Sequence, residues 1–163
     1  MREINRYYDR LTLLSRLLKM KQKKHHHRGA CYCGNIQFIF ATELSNAELP
    51  KRECQCTFCI QHGRVSTSDP EGELRVTIKD PKNVNKYRFG HRTADFYVCR
   101  ECGAIPVVTS EVDSSLVGLV DVRMIEGFFW SRAETSHSQL DGEETNERLA
   151  RRKRTWIGTV TFE

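Results

Sequence analysis

Seven cysteines stand in three tight groups: Cys31-Tyr32-Cys33-Gly34, Cys54-Gln55-Cys56-Thr57-Phe58-Cys59 and Cys99-Arg100-Glu101-Cys102-Gly103. Paired cysteines followed by glycine are the local geometry of a metal knuckle, in which a turn brings two sulfurs to one ion at about 2.3 Å each. The first and third groups are such pairs. Tetrahedral zinc takes four ligands, so Cys31, Cys33, Cys99 and Cys102 make one closed site, which clips distant segments together and has a structural role. The middle group offers only Cys54, Cys56 and Cys59. Three protein ligands and an open fourth position mark a zinc that takes water or substrate. Alternatively His62 or His91 closes the site, His62 being the first to consider because it follows Cys59 by three residues.

The cysteine count is odd, and the N-terminus is charged throughout without a continuous apolar h-region, so a secreted disulfide scaffold is not expected. The reducing cytosol is the expected compartment, and there clustered thiols bind metal more often than each other. No apolar run approaches the roughly 18 residues a membrane span requires. The formal net charge of +5 is unevenly placed. Residues 1–28 hold nine Lys or Arg against Glu3 and Asp9, a net of +7, which leaves the remainder at −2. The body is therefore not that of a generally basic nucleic-acid binder.

A chain of 163 residues fits one domain, and its segments position the cysteines as follows. Residues 4–20 read as an amphipathic helix, with Ile4, Tyr7, Leu11, Leu14 and Leu18 on one face. Residues 1–28 are expected to be a basic extension, either solvated or preceding a true start at Met20, with His25–His27 an incidental tract. From Gly29 the texture is β-like: Ile36–Ala41, Glu73–Ile78, Lys86–Phe89, Asp95–Cys99, Ile105–Thr109 and Leu116–Val122, separated by turn residues such as Asp69-Pro70-Glu71-Gly72, Asp80-Pro81 and Phe89-Gly90. Asp141 or Thr145 is the expected cap of a short helix through Arg148–Arg154, and Trp156–Phe162 is the expected last strand. The cluster Arg148, Arg151, Arg152, Lys153 and Arg154 is expected to be a solvated face, the alternative being contact with acidic ligands. The class is mainly β, divided into the extension 1–28, a zinc-binding body 29–130 and a tail 131–163.

Gly29-Ala30-Cys31-Tyr32-Cys33-Gly34-Asn35-Ile36-Gln37-Phe38, then Cys54-x-Cys56-x-x-Cys59, then Tyr87-Arg88-Phe89-Gly90 and Cys99-x-x-Cys102-Gly103 resemble the glutathione-dependent formaldehyde-activating enzyme family, which includes centromere protein V. The resemblance spans residues 28–130 and implies an Mss4-like β-sheet fold with one structural and one catalytic zinc. Carried over by motif, Cys31, Cys33, Cys99 and Cys102 match the structural set, and Cys54, Cys56 and Cys59 the catalytic one. The basic arm and the Arg-rich tail lie outside it.

The implied activity is that of a carbon–sulfur lyase, condensing a small thiol such as glutathione with formaldehyde or another aldehyde to an S-hydroxymethyl adduct. Three thiolates give a zinc site a net −1 and a fourth makes it −2, so basic neighbours are needed. Arg64, Arg92 and Arg100 are the candidates by proximity in sequence. Two other classes use the same cysteines. One is a non-catalytic zinc module whose basic termini engage an acidic partner, nucleic acid or a filament surface. The other is a redox sensor that releases zinc when Cys54, Cys56 and Cys59 oxidise.

Overall fold

Alternation decides the strands. In Ile36–Thr42 the side chains of Ile36, Phe38 and Phe40 are buried while Gln37 and Ile39 between them are only partly so, the period-2 pattern of a strand with one face on the core. The computed structural model describes residues 24–128, 134–140 and 142–163. The helix expected over 4–20 and the cap at Asp141 lie outside them.

The elements run β1 (His25–Ala30), β2 (Ile36–Thr42), β3 (Arg52–Cys54), α1 (Thr57–Gln61), β4 (Ser66–Thr67), β5 (Glu73–Ile78), β6 (Val84–Tyr87), β7 (Asp95–Cys99), β8 (Val107–Val112), β9 (Ser115–Asp121), β10 (Ser136–Ser138), α2 (Thr145–Thr155) and β11 (Thr159–Phe162). They form a four-stranded sheet in the order β1-β2-β5-β11 and a seven-stranded sheet in the order β10-β3-β4-β9-β8-β7-β6. The mainly β expectation holds. Among the described residues no helix is long and apolar enough to cross a membrane.

The two sheets share a core. Ile36, Phe38, Phe40, Leu74 and Val76 of the smaller sheet pack in one cluster with Tyr97, Val107 and Val120 of the larger, joined by Ile157 and Val160. The outer face of the larger sheet carries a second cluster, in which Val108, Val112 and Val117 meet Trp156, with Phe58 and Leu149 packed against them. Val107 and Val108 are adjacent yet belong to different clusters, because successive strand residues face opposite sides. The larger sheet is therefore covered on both faces, and α1 and α2 supply apolar cover for the outer one.

Two local readings are corrected. His25–His27 is not an incidental tract but the start of β1, paired in register with Phe40, Ala41 and Thr42. His27 is buried, its Nε2 donating to the Leu44 carbonyl at 2.8 Å and its ring 5.8 Å from Phe40. Composition hid the strand, because a run of histidines shows no apolar alternation. In addition, α2 is preceded by Glu144 with no side-chain cap hydrogen bond, so Thr145 is its first residue rather than its cap.

Phe40 is fully buried between β1 and β5. Phe40→Ala is expected to cost about 3–5 kcal/mol of unfolding free energy through lost burial and the cavity left behind, measurable as a lowered urea midpoint with an unchanged slope.

Candidate functional site

The first pair of sulfurs sits in the β1–β2 loop. Gly34 adopts φ +75° and its amide donates to the Cys31 carbonyl at 2.9 Å, a left-handed turn that glycine makes without strain. The Ile36 amide points at the Cys31 sulfur at 3.2 Å. The second pair ends β7 in the same manner: Gly103 at φ +71° donates to the Cys99 carbonyl at 2.9 Å. These two knuckles bring Cys31, Cys33, Cys99 and Cys102 together with all sulfurs within 4.8 Å. The Cys31–Cys33 and Cys33–Cys99 separations are 3.6 and 3.4 Å, close to the edge of about 3.8 Å in a tetrahedron with 2.3 Å zinc–sulfur bonds. The donor set and its spacing fit zinc. Burial holds the Cys31 and Cys99 thiols above their usual range. Burial also opposes ionisation of Cys102, but amide donors from Cys33 and Ala104 and neighbouring thiols outweigh it and bring that group to about 7.

The second cluster is built differently. Cys54 ends β3, Cys56 precedes the first residue of α1, and Cys59 lies buried inside that helix. Their sulfurs lie within 4.8 Å of one another. Hydrogen bonding to Cys54, followed by burial, pushes the Cys59 thiol far up, and burial raises Cys56. Three crowded sulfurs resist carrying charge together, and a bound cation is what makes three thiolates compatible.

The helix end explains the next residue of the site. Gly63, at φ +57°, donates to the Ile60 carbonyl at 2.9 Å, and the Arg64 amide reaches back to the Cys59 carbonyl at 3.0 Å. This is a Schellman closure of α1, and it fixes Arg64 against the helix that carries Cys59. Arg64 is buried, and its charge favours the Cys59 thiolate. Of the three basic candidates read from the sequence, it alone lines the cavity at the cysteines. Arg92 and Arg100 are exposed and stand elsewhere, Arg100 hydrogen-bonded to the Lys82 carbonyl.

His62 does not complete the cluster. Its Nδ1 donates to the Phe58 carbonyl at 2.8 Å and its ring stacks on Phe58 at 4.2 Å. His91 reaches the cavity wall, but its Nδ1 hydrogen-bonds the Thr145 hydroxyl at 2.7 Å. Among the described residues neither histidine joins the three sulfurs as a ligand.

The three cysteines open onto a cavity of about 710 Å³, within the range of small-molecule sites. One wall is aromatic: Phe58 packs on Phe89, Phe96 and Tyr87 at 4.4, 5.1 and 5.4 Å between ring centres. The opposing side is α2. Its arginines were expected at a solvated face, yet Arg148, Arg151 and Arg152 line the cavity, and only Lys153 and Arg154 of the cluster are exposed. Arg52, at the start of β3, lines it too. Helical spacing of 148, 151 and 152 was the signal for this inward face, masked because the exposed Lys153 and Arg154 are cations too.

The two clusters differ in what they tie together. Cys102→Ser is expected to lower the yield of folded protein, because Cys102 belongs to the cluster that ties the smaller sheet to β7. Cys56→Ser is expected to give a folded chain with one zinc fewer, by metal analysis and circular dichroism. Equal loss of soluble protein from both would contradict the division.

The sequence profile described as glutathione-dependent formaldehyde-activating enzyme matches residues 26–137. No curated protein matches the chain. The crystal structure of a Rhodobacter sphaeroides protein, a structural genomics target, is similar to it with a TM-score of 0.53 and 26% identity, covering 68% of this chain and 99% of that one. The matched residues run from β1 into β10 and include all seven cysteines. By a profile match over most of its length, this chain belongs to the glutathione-dependent formaldehyde-activating enzyme family.

Proposed function

We propose that the chain joins a small thiol, glutathione or a similar molecule, to formaldehyde or another small aldehyde, and that Cys54, Cys56 and Cys59 form its catalytic zinc site. The reading rests on one observation above all: three converging sulfurs, with no fourth ligand from the described residues, on the wall of a small-molecule cavity. Family membership gives the chemistry that such a site would perform.

Held by Cys54, Cys56 and Cys59, a zinc would supply a fourth position for the substrate's sulfur and would lower its pKa. The sulfur lone pair forms the carbon–sulfur bond as the carbonyl π pair moves to oxygen, and the proton lost by the thiol ends on that oxygen. The product is an S-hydroxymethyl thioether, with no net oxidation. Run backward, the same step is a carbon–sulfur lyase reaction.

The chain's own residues contribute position and charge. Arg64 offsets the net negative charge of a trithiolate site and so keeps a further thiolate acceptable. The rings of Phe58, Tyr87, Phe89 and Phe96 restrict water around the reacting atoms. Holding thiol and aldehyde together in one cavity supplies the larger part of the rate. We assign the four-cysteine cluster a second, structural zinc, and place the enzyme in the reducing cytosol, where the seven cysteines, none of them in a disulfide, would serve as metal ligands. The alternative, a non-catalytic zinc module that engages an acidic partner or nucleic acid through its basic termini, loses support at the C-terminal one, because three of the five cations in that cluster line the cavity rather than the outer surface.

Zinc-loaded protein is expected to accelerate exchange between glutathione plus formaldehyde and their adduct, followed by NMR exchange spectroscopy. Cys56→Ser is expected to return the rate to the uncatalysed value. Exchange unaffected by the wild-type protein would exclude the reaction.

A further inference from the structure

The aromatic side of the cavity offers more apolar surface than formaldehyde can use. Phe58 stands between Cys56 and Cys59 in the chain and belongs to α1, so this surface begins at the sulfurs. Phe89 lies 5.0 Å from Phe96 and 5.9 Å from Tyr87, ring centre to ring centre, and with Phe58 the four rings make one continuous surface. Val108 and Leu119 of the larger sheet extend it as apolar lining. Arg64, whose charge favours the Cys59 thiolate, lies 5.4 Å over the Phe96 ring, which keeps this surface beside the reacting atoms.

The rings are not a closed core. Phe58, Phe89 and Phe96 are only half-buried although they pack on one another, and Tyr87 is 42% exposed. Apolar surface left wet inside a concave site marks the place of a ligand group that covers it. Formaldehyde is one carbon and one oxygen, enough to cover a fraction of a single ring. Glutathione consists of acid, amide and amine groups on short stems, with no large apolar group to set against the rings. Of the two reactants, the aldehyde is therefore the one that supplies the cover.

We infer that the wall formed by Phe58, Tyr87, Phe89 and Phe96 is a specificity subsite for the aldehyde, and that the preferred aldehyde carries an aromatic substituent. The inference rests on the thiol–aldehyde reading and narrows its second substrate. Ring-on-ring contact would hold the carbonyl carbon near the cysteine sulfurs, so that the binding of the substituent positions the reacting group. The step is the same addition: the sulfur lone pair forms the carbon–sulfur bond, the carbonyl π pair moves to oxygen, and the thiol's proton ends there. The product is a hemithioacetal with the ring still attached, and no oxidant or reductant enters.

The test compares phenylacetaldehyde with acetaldehyde, which present the same carbonyl and differ by a phenyl ring, using glutathione and the zinc-loaded full chain. Burying such a ring favours binding by more than about tenfold, and kcat/KM is expected to be at least tenfold higher for phenylacetaldehyde. Phe89 follows β6 outside the strand pairing, and Phe89→Ala is expected to remove most of this preference. Should Phe89→Ala not fold, Tyr87→Ala, at the exposed edge of the wall, is expected to reduce it. Phe162→Ala, which removes an exposed ring outside the cavity, is expected to keep it. Independently of turnover, 2-phenylethanol, which has the ring and no carbonyl, is expected to show saturation-transfer NMR signals with the wild-type chain and to lose them in Phe89→Ala.

Equal kcat/KM for the two aldehydes would overturn the subsite, as would equal losses on both in the ring variants, since rings that only exclude water serve the two alike. A tenfold preference for benzyl mercaptan over 2-mercaptoethanol, with none between the aldehydes, would put the apolar group on the thiol and overturn the assignment. Binding of 2-phenylethanol to a protein that accelerates neither aldehyde would leave the aromatic subsite standing and remove the reaction. Catalysis without discrimination and without 2-phenylethanol binding would keep the reaction and remove the subsite.

Discussion

Sulfurs 66 residues apart in the chain, such as those of Cys33 and Cys99, lie 3.4 Å from each other, and four such groups can ionise together only around a cation. That constraint governs the body of the protein. The β1–β2 loop belongs to the smaller sheet and the end of β7 to the larger, so the four-cysteine cluster lies where the two sheets meet at one end. The shared apolar core holds them along their faces. With the inner face of the larger sheet so occupied, its outer face is left to α1, α2 and the cavity between them.

Charge balance connects the second cluster to the rest of the cavity. A zinc held by three thiolates would carry a net negative charge, and a fixed cation beside it would offset that charge. The Schellman closure of α1 places one there, because the turn that ends the helix at Gly63 also anchors Arg64 to the Cys59 carbonyl. Asp121 offsets Arg64 only in part, because it stands 3.9 Å away and Arg123 donates to both its oxygens. Farther from the sulfurs, Arg148 and Arg152 extend the positive field along α2.

Much of this was legible in the residues. The two knuckles and the three-cysteine group needed only spacing, and the strands Glu73–Ile78 and Asp95–Cys99 were read to the residue, because alternation or aromatic and β-branched content marks them. What escaped had no local signal. β3, β4 and β10 are two or three residues long and exist through pairing with distant strands. β1 was concealed by its histidines, and the inward face of α2 by Lys153 and Arg154, cations that continue the same run on the exposed side. Arg64 was chosen by proximity in sequence along with Arg92 and Arg100, and only the helix-closing turn distinguishes it. That turn could have been anticipated from Gly63 placed just after Cys59 and before Arg64.

The proposed chemistry requires two zinc sites of unequal completeness, four sulfurs at one and three at the other. Zinc-edge X-ray absorption of the fully loaded protein measures this directly. It should show two zinc ions sharing the seven cysteine sulfurs, with one lighter ligand that is replaced by an eighth sulfur when the thiol substrate is added. Two zinc ions each already bound by four sulfur or histidine ligands from the chain, with a spectrum unchanged by thiol, would contradict it.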